Sequence, residues 1–329
     1  MSNLDSAPAE VTCVNSERHS SADVRLLTAR EVPLGGPRGM TVHRTLPQRA
    51  QSLIGAWCFV DHYGPDDVSR SGGMRVPGHP HTGLQTVSWL FAGEVEHRDT
   101  TGGHAVIGPG ELSLMTAGAG IAHSEYSVGS APILHGVQLW VALPERTRFG
   151  APRFDHHVPV AVSHGAAELR VFLGTLAGQV SPVSTHTPLL GAEVLLPAGQ
   201  RLVLDADPGF EYGVLVDRGE VTLGGVAAAE RQLLCQDPGA KALELCAPRV
   251  DTRFLLLGGE PLGEQIVMWW NFVGRSHAEI VTYRERWEQA RVRGGSTARD
   301  TADFGVFPRS WEQTLPAPQL PQGRLRPRG

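Results

Sequence analysis

Two short words, His79-Pro80-His81 and His123-Ser124-Glu125, hold the most concentrated metal-ligating side chains in this 329-residue chain. In extended backbone, residues i and i+2 point to the same side. The first word can therefore present two imidazoles to one point, and the second an imidazole and a carboxylate. Two such pairs make a four-ligand site. Three neutral imidazoles and one carboxylate suit Fe(II), Mn(II), Co(II), Ni(II), Cu(II) or Zn(II), and ligand softness excludes none of these. On an octahedral ion, two positions would remain for water, dioxygen or substrate. Pro80 removes one backbone donor and fixes one φ, which stiffens the ligand strand and suits an edge or a bulge. Gly72, Gly73, Gly78 and Gly83 lie beside the first pair, and Gly118 and Gly120 beside the second. They permit the tight backbone that a buried site needs.

An isolated H-x-H is more often a pair of solvated histidines, and it is the second pair that shifts the reading toward metal. Half of the 14 histidines, at 62, 79, 81, 97, 104, 123 and 135, fall in one part of the chain. His62, His97, His104 and His135 are candidates to orient ligands or donate protons from behind the site, with surface or core placement an equal reading. His156 and His157 would point to opposite faces of a strand, and His164 and His186 read as solvated loop residues. Cys58, within Ala56-Trp-Cys-Phe-Val60, reads as a buried small apolar residue rather than a reactive thiol. Trp269-Trp270 reads as core.

The elements that must position these residues are strands. The chain has 39 Gly and 24 Pro, and its apolar runs are short and cut by Gly, Pro, Asp and Asn. That is the pattern of a sandwich or barrel. Leu84–Phe91, Val137–Leu143, Leu169–Leu173, Gly213–Val216 and Phe254–Leu257 are rich in β-branched or aromatic residues. One helix is predicted over 276–293, where Ser276 and Glu279 fit a capping box and Ile280, Tyr283 and Trp287 share a face. A loose repeat relates Phe91-Ala-Gly93-Glu-Val, followed by Gly108-Pro-Gly-Glu, to Val216-Asp-Arg-Gly219-Glu-Val, followed by Gln236-Asp-Pro-Gly. It suggests two similar β-domains divided near Pro144 to Pro152. Only the first copy carries histidines in the useful places.

Composition closes several other routes. Lys and Arg number 29 against 34 Asp and Glu, and the basic residues are scattered except in the last few positions, so no nucleic-acid-binding stripe forms. Cys13, Cys58, Cys235 and Cys246 form no C-x-x-C and are read as reduced thiols. No stretch has the length of a signal peptide's apolar run or of a membrane span, so cytoplasmic is the default expectation.

From about Gly55 to Trp140 the chain resembles the pirin family of the cupin superfamily. The matching words are Val60-Asp61-His62-Tyr63-Gly64-Pro65, His79 to Ser88, Met115 to Glu125 and Gln138 to Pro144, and Gly258 to Leu262 resembles the family's C-terminal segment. The resemblance implies an all-β fold of two tandem cupin (jelly-roll β-barrel) domains with a C-terminal helix. The metal-binding domain would cover 24–146 and a metal-free cupin-like domain with the helix 147–293, while polar, Pro-rich composition independently marks a disordered tail over 1–23 and a mobile tail over 294–329. The resemblance also implies one divalent transition metal per chain, iron as Fe(II) first and Zn, Mn, Ni, Co or Cu otherwise, on His79, His81, His123 and Glu125. The wider cupin pattern places a Glu four residues after the second His of its first motif; here that position is Gln85, which argues only against a second carboxylate ligand. Bacterial pirins include quercetin 2,3-dioxygenases, so the expected substrates are a small aromatic chelator, such as a flavonol, and dioxygen, with Glu125 as catalytic base. Other pirins are metal- or redox-sensitive regulators that bind a transcription factor or metabolic enzyme, and a protein partner without catalysis is the alternative. A cupin isomerase acting without dioxygen is a third reading. No direct nucleic-acid binding, no membrane and a monomer complete the expectations.

Overall fold

The computed structural model describes residues 24–33, 40–294, 300–301, 303–311, 313–327 and 329. The N-terminal tail expected over 1–23 lies outside the described residues. The first domain packs a seven-stranded sheet against a four-stranded one. In spatial order the larger sheet runs Arg153–His157, Leu112–Thr116, Leu84–Ala92, Ile133–Ala142, Trp57–Asp67, Thr41–Leu46 and Arg30–Pro33. The smaller runs Arg75–His81, Ile121–Val128, Glu94–Asp99 and His104–Ile107. The second domain repeats the plan. Its larger sheet is Val24–Thr28, Gln232–Gln236, Glu211–Arg218, Thr252–Gly259, Leu189–Leu196, Ala167–Leu173 and Val162–His164, and its smaller sheet is Arg201–Asp205, Ala242–Cys246, Glu220–Leu223 and Val226–Ala229. This is the expected pair of cupin-type domains.

The loose repeat in the sequence falls on equivalent strands of the two domains. Leu84–Ala92, Gly93 and Glu94–Asp99 correspond to Glu211–Arg218, Gly219 and Glu220–Leu223. Gly93 and Gly219 have φ of 83° and 87°, the left-handed turn that glycine adopts without a Cβ clash. The two domains differ in what fills their barrels. Leu202, Leu204, Leu243 and Leu245 are buried in the second, on the strands that correspond to those bearing the two histidine words in the first.

Each domain lends the other an edge strand. Val24–Thr28 pairs with Gln232–Gln236 in the second domain, and Arg153–His157 pairs with Leu112–Thr116 in the first. A single cut near residue 146 therefore does not separate the sheets. The two larger sheets face each other across one buried cluster that joins Val87, Trp89, Val137 and Leu139 to Phe172, Leu215, Leu233 and Leu255. Burial of that much apolar surface makes the two sandwiches one packed body.

The helix forms where the sequence places it, at His277–Gly294. Ser276 Oγ accepts from the Glu279 amide at 3.2 Å, and Glu279 Oε2 accepts from the Arg275 amide at 2.8 Å, which closes the cap one residue further out than the expected box. Ile280, Tyr283 and Trp287 are buried against the hairpin Val267–Trp269 and Phe272–Gly274, as the shared face predicts.

Composition predicts a mobile tail beyond 294, and here the structure differs. Phe304, Phe307, Ala317 and Leu325 are buried in the same cluster as the helix face. Leu315 N donates to Gly78 O at 2.8 Å, and Trp311 Nε1 donates to Ser124 Oγ at 2.8 Å. The segment thus crosses the outside of both strands that carry the histidine words. A Cβ at Gly78 would collide with the Trp311 ring, so the glycine there serves this close approach. The few apolar residues between the prolines sufficed because they had a preformed surface to fill, which composition cannot reveal.

Trp287 is fully buried, and its Nε1 donates to Leu315 O at 2.8 Å. Trp287→Ala is expected to cost about 3–5 kcal/mol and to make residues 303–327 the first site of cleavage in limited proteolysis. A denaturant midpoint equal to wild type would show that this segment is not anchored through the helix.

Candidate metal centre

The small sheet of the first domain turns a polar set inward. Along Ile121–Val128, His123 stands opposite His79 on one side, while Asp99 faces His123 and His97 faces Glu125 on the other. The register shifts between His123 and Glu125 on the side of Arg75–His81, a bulge of the kind that re-aims a side chain. His79, His81, His97, Asp99, His123 and Glu125 are all buried. The rings of His79, His81 and His123 have centroids 4.3 to 5.1 Å apart, and their ligand atoms all lie within 4.8 Å of one another.

The hydrogen bonds fix which nitrogen of each ring faces inward. His79 Nδ1 donates to Pro77 O at 2.8 Å, and His81 Nδ1 to Asn271 O at 3.2 Å. Asp99 accepts from Thr101 N, Thr101 Oγ1 and Gly103 N on Oδ1, at 2.8, 2.7 and 3.0 Å, and from His97 Nε2 on Oδ2 at 3.0 Å. His97 Nδ1 is then an acceptor, and His123 Nδ1 donates to it at 3.3 Å. All three rings therefore carry their proton on Nδ1 and aim a lone pair from Nε2. The Nε2 atoms of His81 and His123 are buried with no hydrogen-bond partner among the described residues. A buried nitrogen lone pair without a donor is costly, and a divalent cation is the group that three convergent lone pairs fit.

Burial holds His79 down to about 4. Burial, with the neighbouring His79 ring adding to it, puts His81 and His123 well below the usual imidazole range. Neutral rings are the ligating form. Glu125 is buried beside them but is not one of the three groups whose ligand atoms converge. Its Oε1 accepts from Ser88 Oγ at 3.1 Å, and the same Oγ lies 2.8 Å from the Gln138 side-chain amide. Gln85 is also buried, and its Nε2 donates to Thr116 Oγ1 at 2.9 Å.

Comparison with known proteins identifies the family of the chain. Residues 39–141 match the pirin family profile, and residues 191–293 match the profile described as the pirin C-terminal cupin domain. The chain belongs to the pirin family. A Pseudomonas aeruginosa pirin relative provisionally named a quercetin 2,3-dioxygenase is 44% identical over 283 residues, covering 85% of this chain and 88% of its own. The crystal structure of a quercetin 2,3-dioxygenase from Acinetobacter baumannii superposes with a TM-score of 0.83 at 34% identity, covering 92% of this chain and 97% of that one. The bacterial pirin YhhW of Escherichia coli, solved in complex with nickel(II), shares the fold at 21% identity and a TM-score of 0.58, covering 73% of this chain and all of its own.

The remaining histidines of this pirin separate cleanly. His97 stands behind His123, as one of the orienting candidates. His62 and His135 lie elsewhere, at the domain interface, where both contact Asp217. Burial alone would raise the Asp217 carboxyl, but hydrogen bonds from His135 and His62 and the charge of Arg253 hold it well below the usual range. His104 is exposed and pairs with Glu96, and His156 pairs with Glu111. His164 is in a strand rather than the expected loop, and His186 is half-buried outside any strand. Cys58, Trp269 and Trp270 are buried as expected. Sequence reasoning missed Asp99 and Asn271. His97-Arg98-Asp99 carries the same i, i+2 signal as H-P-H, whereas Asn271 acts through its backbone carbonyl, which no side-chain motif can reveal. Trp270, at the hairpin turn beside Asn271, has a φ of 52°, the left-handed region that costs a bulky residue energy. Among the described residues, no helix is long and apolar enough to cross a membrane.

The unfolded chain protonates its histidines below about pH 6.5, whereas the fold keeps these three neutral to much lower pH. Metal-free protein should therefore be fully stable above about pH 6.5 and lose stability as the pH falls toward 4, with His79 alone accounting for about 3 kcal/mol. Denaturant midpoints of chelator-treated protein between pH 7 and 4.5 measure this. The slope should be shallower in His79→Gln, and a midpoint flat across that range would contradict the buried neutral rings.

Proposed function

We propose that the protein is a metal-dependent dioxygenase of the quercetin 2,3-dioxygenase type, opening a flavonol or related chelating aromatic substrate with dioxygen. In this reading His79, His81, His123 and Glu125 hold one divalent metal. The observation that carries it is the convergence of three imidazole Nε2 lone pairs in a buried barrel, two of them without a partner among the described residues. The P. aeruginosa and A. baumannii relatives carry that enzyme's name, and the E. coli pirin holds nickel(II). We assign Fe(II), the ion that the family resemblance names, with Zn, Mn, Ni, Co and Cu as the other ions these donors suit.

The bound ion would supply Lewis-acid polarisation of a substrate hydroxyl and lower its pKa. The chain's residues do the rest. Pro77, Asn271 and the His97–Asp99 pair keep the three Nε2 atoms aimed inward. Glu125 takes the proton from the flavonol 3-hydroxyl, and Ser88, anchored on Gln138, orients the carboxylate for that transfer. Trp140, stacked on Phe59 at 4.1 Å and lying 5.3 Å from the His81 ring, gives an aromatic substrate an apolar wall.

Elemental analysis of protein from its native host, followed by oxygen uptake with a panel of flavonols, tests the reading. Metal-dependent oxygen consumption is expected. Partner capture with no turnover on any flavonol would favour a regulatory role, and metal-dependent turnover without oxygen uptake an isomerase.

Two variants probe individual roles. Glu125→Gln should lower turnover per bound metal by roughly the hundredfold to ten-thousandfold typical of losing a general base, and unchanged turnover per metal would remove Glu125 from that role. Asp99→Ala frees His97 and with it the His123 tautomer, so metal affinity should fall by roughly 10- to 100-fold. Competitive chelator titration reads that loss, and wild-type affinity would show that the pair does not orient His123.

A further inference from the structure

A second set of convergent ligands lies on the opposite face of the first domain's large sheet. Alternation along Ile133–Ala142 turns Val137, Leu139 and Val141 to the interdomain core, while Gln138 and Trp140 face the three-histidine barrel. His62 pairs across from Val137 and so shares the interdomain face. His135 joins it there from the neighbouring strand. Asp217 meets them from the second domain, on Glu211–Arg218. His62 Nε2 is 2.8 Å from Asp217 Oδ1, His135 Nε2 is 2.7 Å from the same oxygen, and the two nitrogens are 3.3 Å apart. All three residues are buried, with His135 the most accessible at 8%.

From this geometry we propose that His62, His135 and Asp217 form a second divalent transition-metal site that staples the two domains together. Two imidazoles and one carboxylate are a donor set for Zn(II), Fe(II), Co(II) or Ni(II) rather than for Mg(II) or Ca(II). Ligand atoms about 2.1 Å from such an ion, on one face of its coordination shell, lie roughly 3.0–3.4 Å from one another. The observed triangle needs only a few tenths of an ångström of expansion on two edges.

The backbone is shaped for this meeting. The strand register shifts beside His135 on both of its neighbours, and again at Asp217 between Val216 and Arg218. Bulges at two of three convergent residues are what re-aiming side chains to one point requires. The other oxygen of Asp217 is already held, by Arg253 Nε at 2.6 Å, so only Oδ1 is presented and the carboxylate would bind through one atom. Arg253 lies over the Phe91 ring at 4.3 Å, and Phe91 packs edge-on against the His135 ring at 5.1 Å. These contacts keep His135 in place. The site raises the stoichiometry from the one metal expected of the sequence to two, and it does not depend on the first centre.

Zn(II) is the probe. Tag-free full-length protein is stripped with chelator, reloaded with Zn(II), desalted and analysed for metal per chain. Wild type should hold two equivalents, and His81→Ala, His135→Gln and Asp217→Asn one each. In the His81→Ala background, Zn(II) should still raise the unfolding temperature, and adding His135→Gln should abolish that rise. One equivalent in wild type, unchanged by His135→Gln, would overturn the proposal, as would a Zn(II) response of the His81→Ala protein that survives His135→Gln. If His81→Ala keeps both equivalents while His135→Gln loses one, the first centre is misassigned and the interdomain site stands. Should Asp217→Asn fail to fold because Arg253 loses its partner, His135→Gln alone carries the test.

Discussion

The candidate centre depends on one constraint: three imidazoles buried in a barrel must all place their protons on the outer nitrogen. A neutral ring has one donor and one acceptor, and burial forbids the charged form that would have two donors. Whichever nitrogen is given an acceptor behind it therefore decides which nitrogen faces the other two rings. Two backbone carbonyls, of Pro77 and Asn271, settle His79 and His81. His123 has another histidine behind it, and that ring could settle nothing without Asp99, whose three further hydrogen bonds keep it an acceptor. The chain from Thr101 and Gly103 through Asp99 and His97 to His123 is a single argument about one proton.

This constraint reaches beyond the domain that owns the ligands. Asn271 belongs to the hairpin under the C-terminal helix. That hairpin is fixed to the ligand strand by Val273 N donating to Thr82 O at 3.0 Å, and Gly83 is free of a Cβ where the Val273 carbonyl presses close. Arg148 then ties the helix to the junction between the domains, through Glu145, Glu279 and the Tyr283 hydroxyl. The orientation of His81 is thus coupled to packing far along the chain, so a loss of helix docking would loosen a ring without touching any ligand.

Much of this was legible because strand periodicity is local. H-P-H and H-x-E announce same-face pairs, the capping residues announce the helix, and Gly93 and Gly219 announce the repeated turn. What escaped reading was set by contacts between distant segments. Val24–Thr28 and Arg153–His157 are ordinary strands whose sheet is chosen by the edge left open to them. The stretch after residue 303 looks too poor in apolar residues to fold, and is ordered by a surface built from elsewhere. His62, His135 and Asp217 come from three strands and two domains, so no spacing could have grouped them.

The duplicated scaffold shows why one barrel is polar inside and its twin is not. A jelly roll of this size can fill its interior with leucines, as Leu202, Leu204, Leu243 and Leu245 do in the second domain, and then stabilises itself through burial alone. Replacing such residues with four histidines, an aspartate and a glutamate gives up that apolar contribution and adds desolvation of every polar atom. The first domain can tolerate the exchange because its other sheet face joins a buried cluster shared with the second domain, and because the helix and C-terminal segment cover its small sheet with a cluster of their own. The leucine-filled copy is therefore a physical condition for the histidine-lined one: it supplies the apolar partner surface that lets a polar, preorganised interior persist in a stable protein.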